Sequence, residues 1–393
     1  MIVAVNNINK ASIGNFIKQF PDRKSIKQIS DFMLLQRIKD SKMVDYQVDY
    51  MFGVDTSLRV YLCGVIITVN NPHILEDEKN PLDLDIYIPY FVDGIMPVTK
   101  NDRNAWYVTG NNDLLDTNYE IIISEDLDED HDEDDMMQCG VNIFERNIGG
   151  YGDQSLISIR VPEVNFDNKD IYSNVNLSIF GNDKKLIGSM KYFLNSALVK
   201  SVTLEDMDTS EITDFSYMLN NCENLITADI ECIDISNALK LDNMFDRDRS
   251  LQEIKFNRDI KPMTNLDSMN GMFGWCSNLK NLDLSFIRGT TNLAGMAGTF
   301  NGCEKLENID IHNLNTRFVT NWEGTFANTT ALKFLDLSNI DGRFRPNNKE
   351  MFSGTNPELQ VKFGAKSIAH KEAFKNFKDN LEKEKRKAEN KQA

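Results

Sequence analysis

Residues able to do chemistry are present in this chain, but their spacing forms no recognisable catalytic set. The histidines His73, His131, His312 and His370 are scattered, and none falls in an HExxH pattern or beside the partners of a nucleophilic triad. No GxxxxGK or GxGxxG phosphate cradle occurs, and NIGGYGDQ around Gly149 and Gly150 reads as a turn. Between Glu125 and Asp135 nine of eleven residues are acidic, which could attract a cation. The run lacks the central Gly and spaced final Glu of an EF-hand loop, so the expectation is a solvated loop. Cys222, Cys276 and Cys303 share one repeat position, but a single column offers too few convergent ligands for a metal, and buried thiols are expected. No catalytic residue, metal or cofactor is therefore expected, and an enzyme with an unrecognised site in the N-terminal half is kept as a secondary alternative.

The cysteine column belongs to a repeat. MLNNCENLITADI from Met218, MFDRDRSLQEIKF from Met244, MFGWCSNLKNLDL from Met272, TFNGCEKLENIDI from Thr299 and TFANTTALKFLDL from Thr325 align without gaps, 26, 28, 27 and 26 residues apart. A degenerate copy begins at Tyr192 and a last one at Met351, where Pro357 accompanies a one-residue insertion, giving seven units over residues 192–363. Leu266, Met269, Met272, Phe273 and Cys276 recur at spacings of three and four, which predicts a short helix in each unit. Ser210, Ser236, Thr264 and Thr291 stand where they could cap such helices. Leu282 and Leu284 then alternate as a strand does. Units this short cannot bury their apolar faces alone, so they must stack, with strands in one parallel sheet and helices as the opposite wall.

The motif M-F-x-x-C-x-x-L-x-x-L-D-L resembles the bacterial BspA-like leucine-rich-repeat family, over residues 192–363. The resemblance implies a leucine-rich-repeat α/β solenoid with an adhesive or recognition role and no shared catalytic site. Within each strand, residues between the inward ones must face outward. These are Asp229, Lys255, Asp283, Asp310 and Asp336, preceded by Thr227, Glu253, Asn281, Asn308 and Phe334. They either keep the sheet soluble or form a partner-binding ladder, for which Asp229, Asp283, Asp310, Asp336, Asn281, Asn308 and Phe334 are the candidates. Phe334, an outward aromatic, is the natural anchor.

Residues 1–45 read as two helices, one through Ile13, Phe16, Ile17 and Phe20, the other through Ile26, Ile29, Met33, Leu34 and Ile38. Residues 46–190 alternate as strands and predict a β-rich domain of sandwich or barrel type, and Val175, Leu177 and Ile179 could cap the solenoid of residues 191–364. In residues 365–393, Ile368, Ala369, Ala373, Phe374, Phe377 and Leu381 trace a helical stripe, followed by a polar basic end expected to fray. The fold class is thus α+β.

With 43 Lys plus Arg against 60 Asp plus Glu, the net charge is −17, which repels a phosphate backbone and argues against nucleic acid. The longest apolar stretch, residues 60–69, is about half of the roughly 20 residues a bilayer span needs. The N-terminal stretch has no secretion signal, so the expected setting is cytoplasm or a virion. The function expected is that of a non-catalytic building block or docking subunit of a multiprotein assembly, a bacteriophage tail or capsid-associated component being one such case. The alternative is a receptor-binding or adhesin protein that recognises a host surface component.

Overall fold

A computed structural model describes residues 32–38, 46–54, 60–69, 75, 79–88, 92–95, 107–108, 119–123, 155–160, 174–341 and 346–392. The chain divides into two compact units, residues 1–211 and 212–393.

In the first unit, strands β1 (Phe32–Ile38), β2 (Tyr46–Val54) and β3 (Val60–Val69) pair antiparallel in sequence order. A further antiparallel pair, β6 (Tyr107–Val108) and β7 (Tyr119–Ile123), adds to β1 through β7. The short strands β5 (Gly94–Ile95) and β8 (Ile157–Arg160) join β3 in parallel. A separate parallel set places β9 (Val175–Lys185) between β4 (Leu82–Tyr87) and β10 (Val199–Asp208). Leu84, Ile86, Val175, Leu177, Ile179, Val202 and Leu204 form its buried face. The helix expected through Met33, Leu34 and Ile38 is instead β1. A short apolar run satisfies either period, and here pairing with β2 on one side and β7 on the other satisfies its backbone groups. The helix expected through Ile13 to Phe20 lies outside the described residues.

The second unit is a β-solenoid closed by one helix. Its strands are β11 (Thr227–Ile230), β12 (Glu253–Phe256), β13 (Asn281–Leu282), β14 (Asn308–Ile309), β15 (Phe334–Leu337) and β16 (Gln360–Phe363), and the helix is α1 (Ile368–Gln392). The strands pair in parallel as β11 with β12, β13 with β14 and β15 with β16. On another side of the coils, single parallel bridges run through Asp214, Lys240, Ser268, Gly295, Asn321 and Asn347 without a break.

The wall predicted to be helical is built from turns. Backbone N–H groups there alternate in direction. Met269, Gly271, Phe273 and Trp275 donate to Gly295, Ala297, Thr299 and Asn301 of the next coil, whereas Met272, Gly274 and Cys276 donate three residues back within their own coil. The same alternation recurs from Phe215 to Asn328. A helix would bind every N–H within its own segment, so the apolar spacing of three and four was right about which side chains point inward and wrong about the backbone.

Two residues per coil, four apart, take positive φ: Asn243 and Arg247, Gly271 and Trp275, Gly298 and Gly302, Gly324 and Asn328. That left-handed conformation suits Gly and Asn and interrupts a right-handed helix. The hydroxyls expected as helix caps accordingly cap none. Thr291 instead donates to the Thr264 carbonyl of the preceding coil at 2.7 Å.

Inside, the phenylalanine of each Met-Phe or Thr-Phe pair stacks on its counterpart one coil away. Phe245, Phe273, Phe300, Phe326 and Phe352 form a spine with ring centroids 5.7, 6.1, 5.7 and 6.1 Å apart. Phe374 of α1 meets the end of that spine edge-on at 5.2 Å from Phe352. Lys378 donates to the Pro357 carbonyl at 2.6 Å and so ties the third turn of α1 to the last coil. Ile368, expected in the apolar stripe, points outward at 71% exposure, and His370 takes the inward place. Beyond Leu381 the helix does not fray but continues to Gln392, as its Lys, Glu, Arg and Ala residues favour.

Candidate functional site

The predicted outward positions are on one face of the second unit, where strand alternation puts them. The register sets Asp229 beside Lys255, Asn281 beside Asn308, Phe334 beside Gln360 and Asp336 beside Lys362. The seven candidates therefore share a face, but as three separate ladders. Between β12 and β13 the sheet is interrupted at the longest repeat, which carries the segment Asn257–Pro262. There Phe256 turns to stack on Phe286 at 3.7 Å. The cleft at this break, beside Asn281, Asp283 and Arg258, holds a void of about 40 Å³, enough for water but far below the volume of a small-molecule site.

Each aspartate in the ladder is occupied with its own chain. Oδ1 of Asp229, Asp283, Asp310 and Asp336 accepts the N–H two residues on, from Glu231 at 3.4 Å, Ser285 at 2.9 Å, His312 at 2.9 Å and Ser338 at 2.8 Å. These are Asx turns that end the strands. Each carboxylate also faces a cationic or ionisable neighbour. Lys255 is 2.8 Å from Asp229, Arg258 3.1 Å from Asp283, His312 Nδ1 2.7 Å from Asp310 and Lys362 2.7 Å from Asp336. Backbone N–H donation from Ser285 and from His312 lowers the carboxyls of Asp283 and Asp310, and the Lys362 ammonium with Ser338 holds Asp336 well below the usual range. The expected acidic ladder is thus largely neutralised. Arg258, His312 and Lys362 were missed in the sequence, although His312 follows Asp310 by two and Lys362 shares the register of Asp336.

Phe334 differs from its polar neighbours. It is 49% exposed on this face, in register with Gln360 and two residues before Asp336, whose carboxylate pairs with Lys362. Asn281 and Asn308 are exposed as expected.

The cysteine column is buried throughout. Cys276 and Cys303 donate to the carbonyls of Phe245 and Phe273, both at 3.1 Å, and burial pushes the Cys276 thiol up strongly and that of Cys303 up to about 12. They are inert packing groups. Asp248 occupies the same column, wholly buried, with Oδ1 accepting the Cys222 N–H at 2.7 Å and Oδ2 without a partner among the described residues. Burial raises its pKa well above the carboxylate norm, which favours the neutral acid. The acidic run from Glu125 to Asp135, His73, His131 and the NIGGYGDQ turn lie outside the described residues. Among the described residues no cluster of His, Cys, Asp or Glu could hold a metal ion, and no helix is long and apolar enough to cross a membrane.

With this geometry in place, comparison with known proteins gives a match to a family model. The family described as "Mycoplasma protein of unknown function, DUF285" matches residues 188–286 and 254–362. The two matches overlap and cover the coils, somewhat less than half of the chain. No curated protein and no solved structure matches.

Proposed function

We propose that the chain is a non-catalytic interaction subunit whose solenoid presents a fixed surface to a protein partner within a larger assembly. The observation that supports this is Phe334: a half-exposed aromatic set among polar groups that already satisfy one another. An apolar anchor inside a polar rim is the usual make-up of an interface centre, whereas ion pairs at such a rim contribute little. In this reading the coils are leucine-rich repeats of the BspA-like kind, with Leu279, Leu282 and Leu284 inward, and the recognition role implied by that resemblance falls on the strand face. The aspartates fix the ends of the strands and are not the binding groups themselves.

The test is capture of partners from the source cells by purified chain, comparing wild type with Phe334→Ser. The variant should keep its melting midpoint, because the ring is exposed, and should lose at least about tenfold in partner recovery, the scale of an anchor residue. Undiminished recovery would remove the strand face from consideration. A monomer that retains only a cell-surface component would replace the assembly reading with the adhesin one.

A further inference from the structure

Helix α1 meets the coils through a histidine that makes no hydrogen bond there. His370 is fully buried, and among the described residues neither ring nitrogen has a partner. Its ring stands edge-on to Trp322 with centroids 4.9 Å apart, and the Trp322 indole N–H is likewise buried and unpartnered. One turn earlier, the Ser367 hydroxyl lies 2.7 and 3.0 Å from the carbonyls of Leu337 and Ile340, which holds the start of α1 against the coils. A neutral imidazole in this place already leaves polar atoms unsatisfied. An imidazolium would add a second donor and a full charge with no acceptor.

The charged groups around this contact do not offset such a charge. On the chain of α1 itself, Lys366, Lys371 and Glu372 are exposed. On the coil of Trp322, Glu323 pairs with Lys349 at 3.2 Å on the surface. Asp341, next to the Ile340 carbonyl, is buried and donates its own N–H to the Thr316 hydroxyl oxygen at 3.2 Å. Among the described residues none of these acts on the ring, and burial alone lowers its pKa to about 4.

We propose that α1 is an acid-released latch: a proton on His370 drives the helix off Trp322 and uncovers Phe352 and Phe363 at the end of the stack. The direction follows from linkage. The docked ring is depressed below the ordinary value of about 6.5, so docking is at full strength above that pH and is lost as the pH falls toward about 4. Across that window the ratio of docked to undocked helix drops about tenfold per pH unit. Phe374 sits on Phe352 and Phe363 at 5.2 and 5.8 Å, so release exposes apolar surface that is otherwise covered.

Hydrogen exchange of the full chain, read by mass spectrometry and corrected for the intrinsic pH dependence of exchange, tests this. Between about pH 6 and about pH 5, protection of peptides within residues 368–381 should fall about tenfold while coil peptides hold theirs. In His370→Leu the same peptides should keep their protection. Unchanged protection in the wild type, an equal loss in the leucine variant, or simultaneous loss across the coils would each overturn the latch. Should the variant fail to fold, ring titration of the wild type by NMR decides instead. His370 remaining neutral near pH 5.5 supports the proposal, and titration near 6.5 contradicts it.

Discussion

The strand face and the turn wall belong to the same coils yet stack in different ways. Strand pairing is broken into separate ladders, at β12–β13 and again at β14–β15. The turn wall runs unbroken from Phe215 to Asn328, with every second N–H crossing to the next coil and the phenylalanine spine directly beneath. The insertion in the longest repeat falls on the strand side and leaves the turns in register. Cohesion is thus concentrated on one side, leaving the strand side free to vary its outward residues, as a surface for recognition requires.

The contrast is broken most forcefully at the spine. Phe300→Ala removes a fully buried ring stacked on both neighbours and should cost about 3–5 kcal/mol, read from denaturant unfolding of the full chain. Gly302→Ala should cost about 1–2 kcal/mol. Its φ of 75° is left-handed, and a Cβ there would stand 2.7 Å from the Trp275 ring.

Asp248→Asn probes the same wall through pH. A carboxyl raised in the folded state gives its full stability below about pH 4 and loses it as the pH rises through the raised value. The asparagine variant should therefore be more stable than wild type at pH 7, on the order of 1–3 kcal/mol, and nearly equal to it at pH 4, as thermal melts at the two pH values would reveal. Glu350→Gly, relieving a non-glycine residue at φ 54°, should gain less, about 0.5–1 kcal/mol. Asp283→Asn on the strand face should change stability least, below about 1 kcal/mol, because its ion pair with Arg258 is exposed.

The sequence made the inward set of the coils legible, because periodic Met, Phe, Cys and Leu residues report burial whichever backbone carries them. Met272, Phe273, Cys276, Leu279 and Leu284 are all buried. It misled on the wall, where spacing of three and four suggests helix. The contrary signal was present in Gly271, Gly298, Gly302, Gly324 and Gly354, recurring where a helix would be weakest, with Asn243 and Asn328 in matching places. The outward strand positions were legible as a face because alternation fixes direction. Their chemistry was not, since the Asx turns of Asp283 and Asp310 depend on backbone direction after the strand, and Arg258 reaches Asp283 from an insertion. His370 was hidden for a similar reason: a stripe drawn through Ile368 and Ala369 takes apolarity as the guide to burial, whereas packing on Trp322 selected the histidine.

Native-state hydrogen exchange resolved to single amides tests most directly whether the turn wall holds the stack. The amides of Phe273, Trp275, Phe300 and Gly302 should exchange only through global unfolding, while those of β13 and β14 exchange earlier through local opening. Strand amides that outlast the turn amides would contradict the account and return cohesion to the sheet.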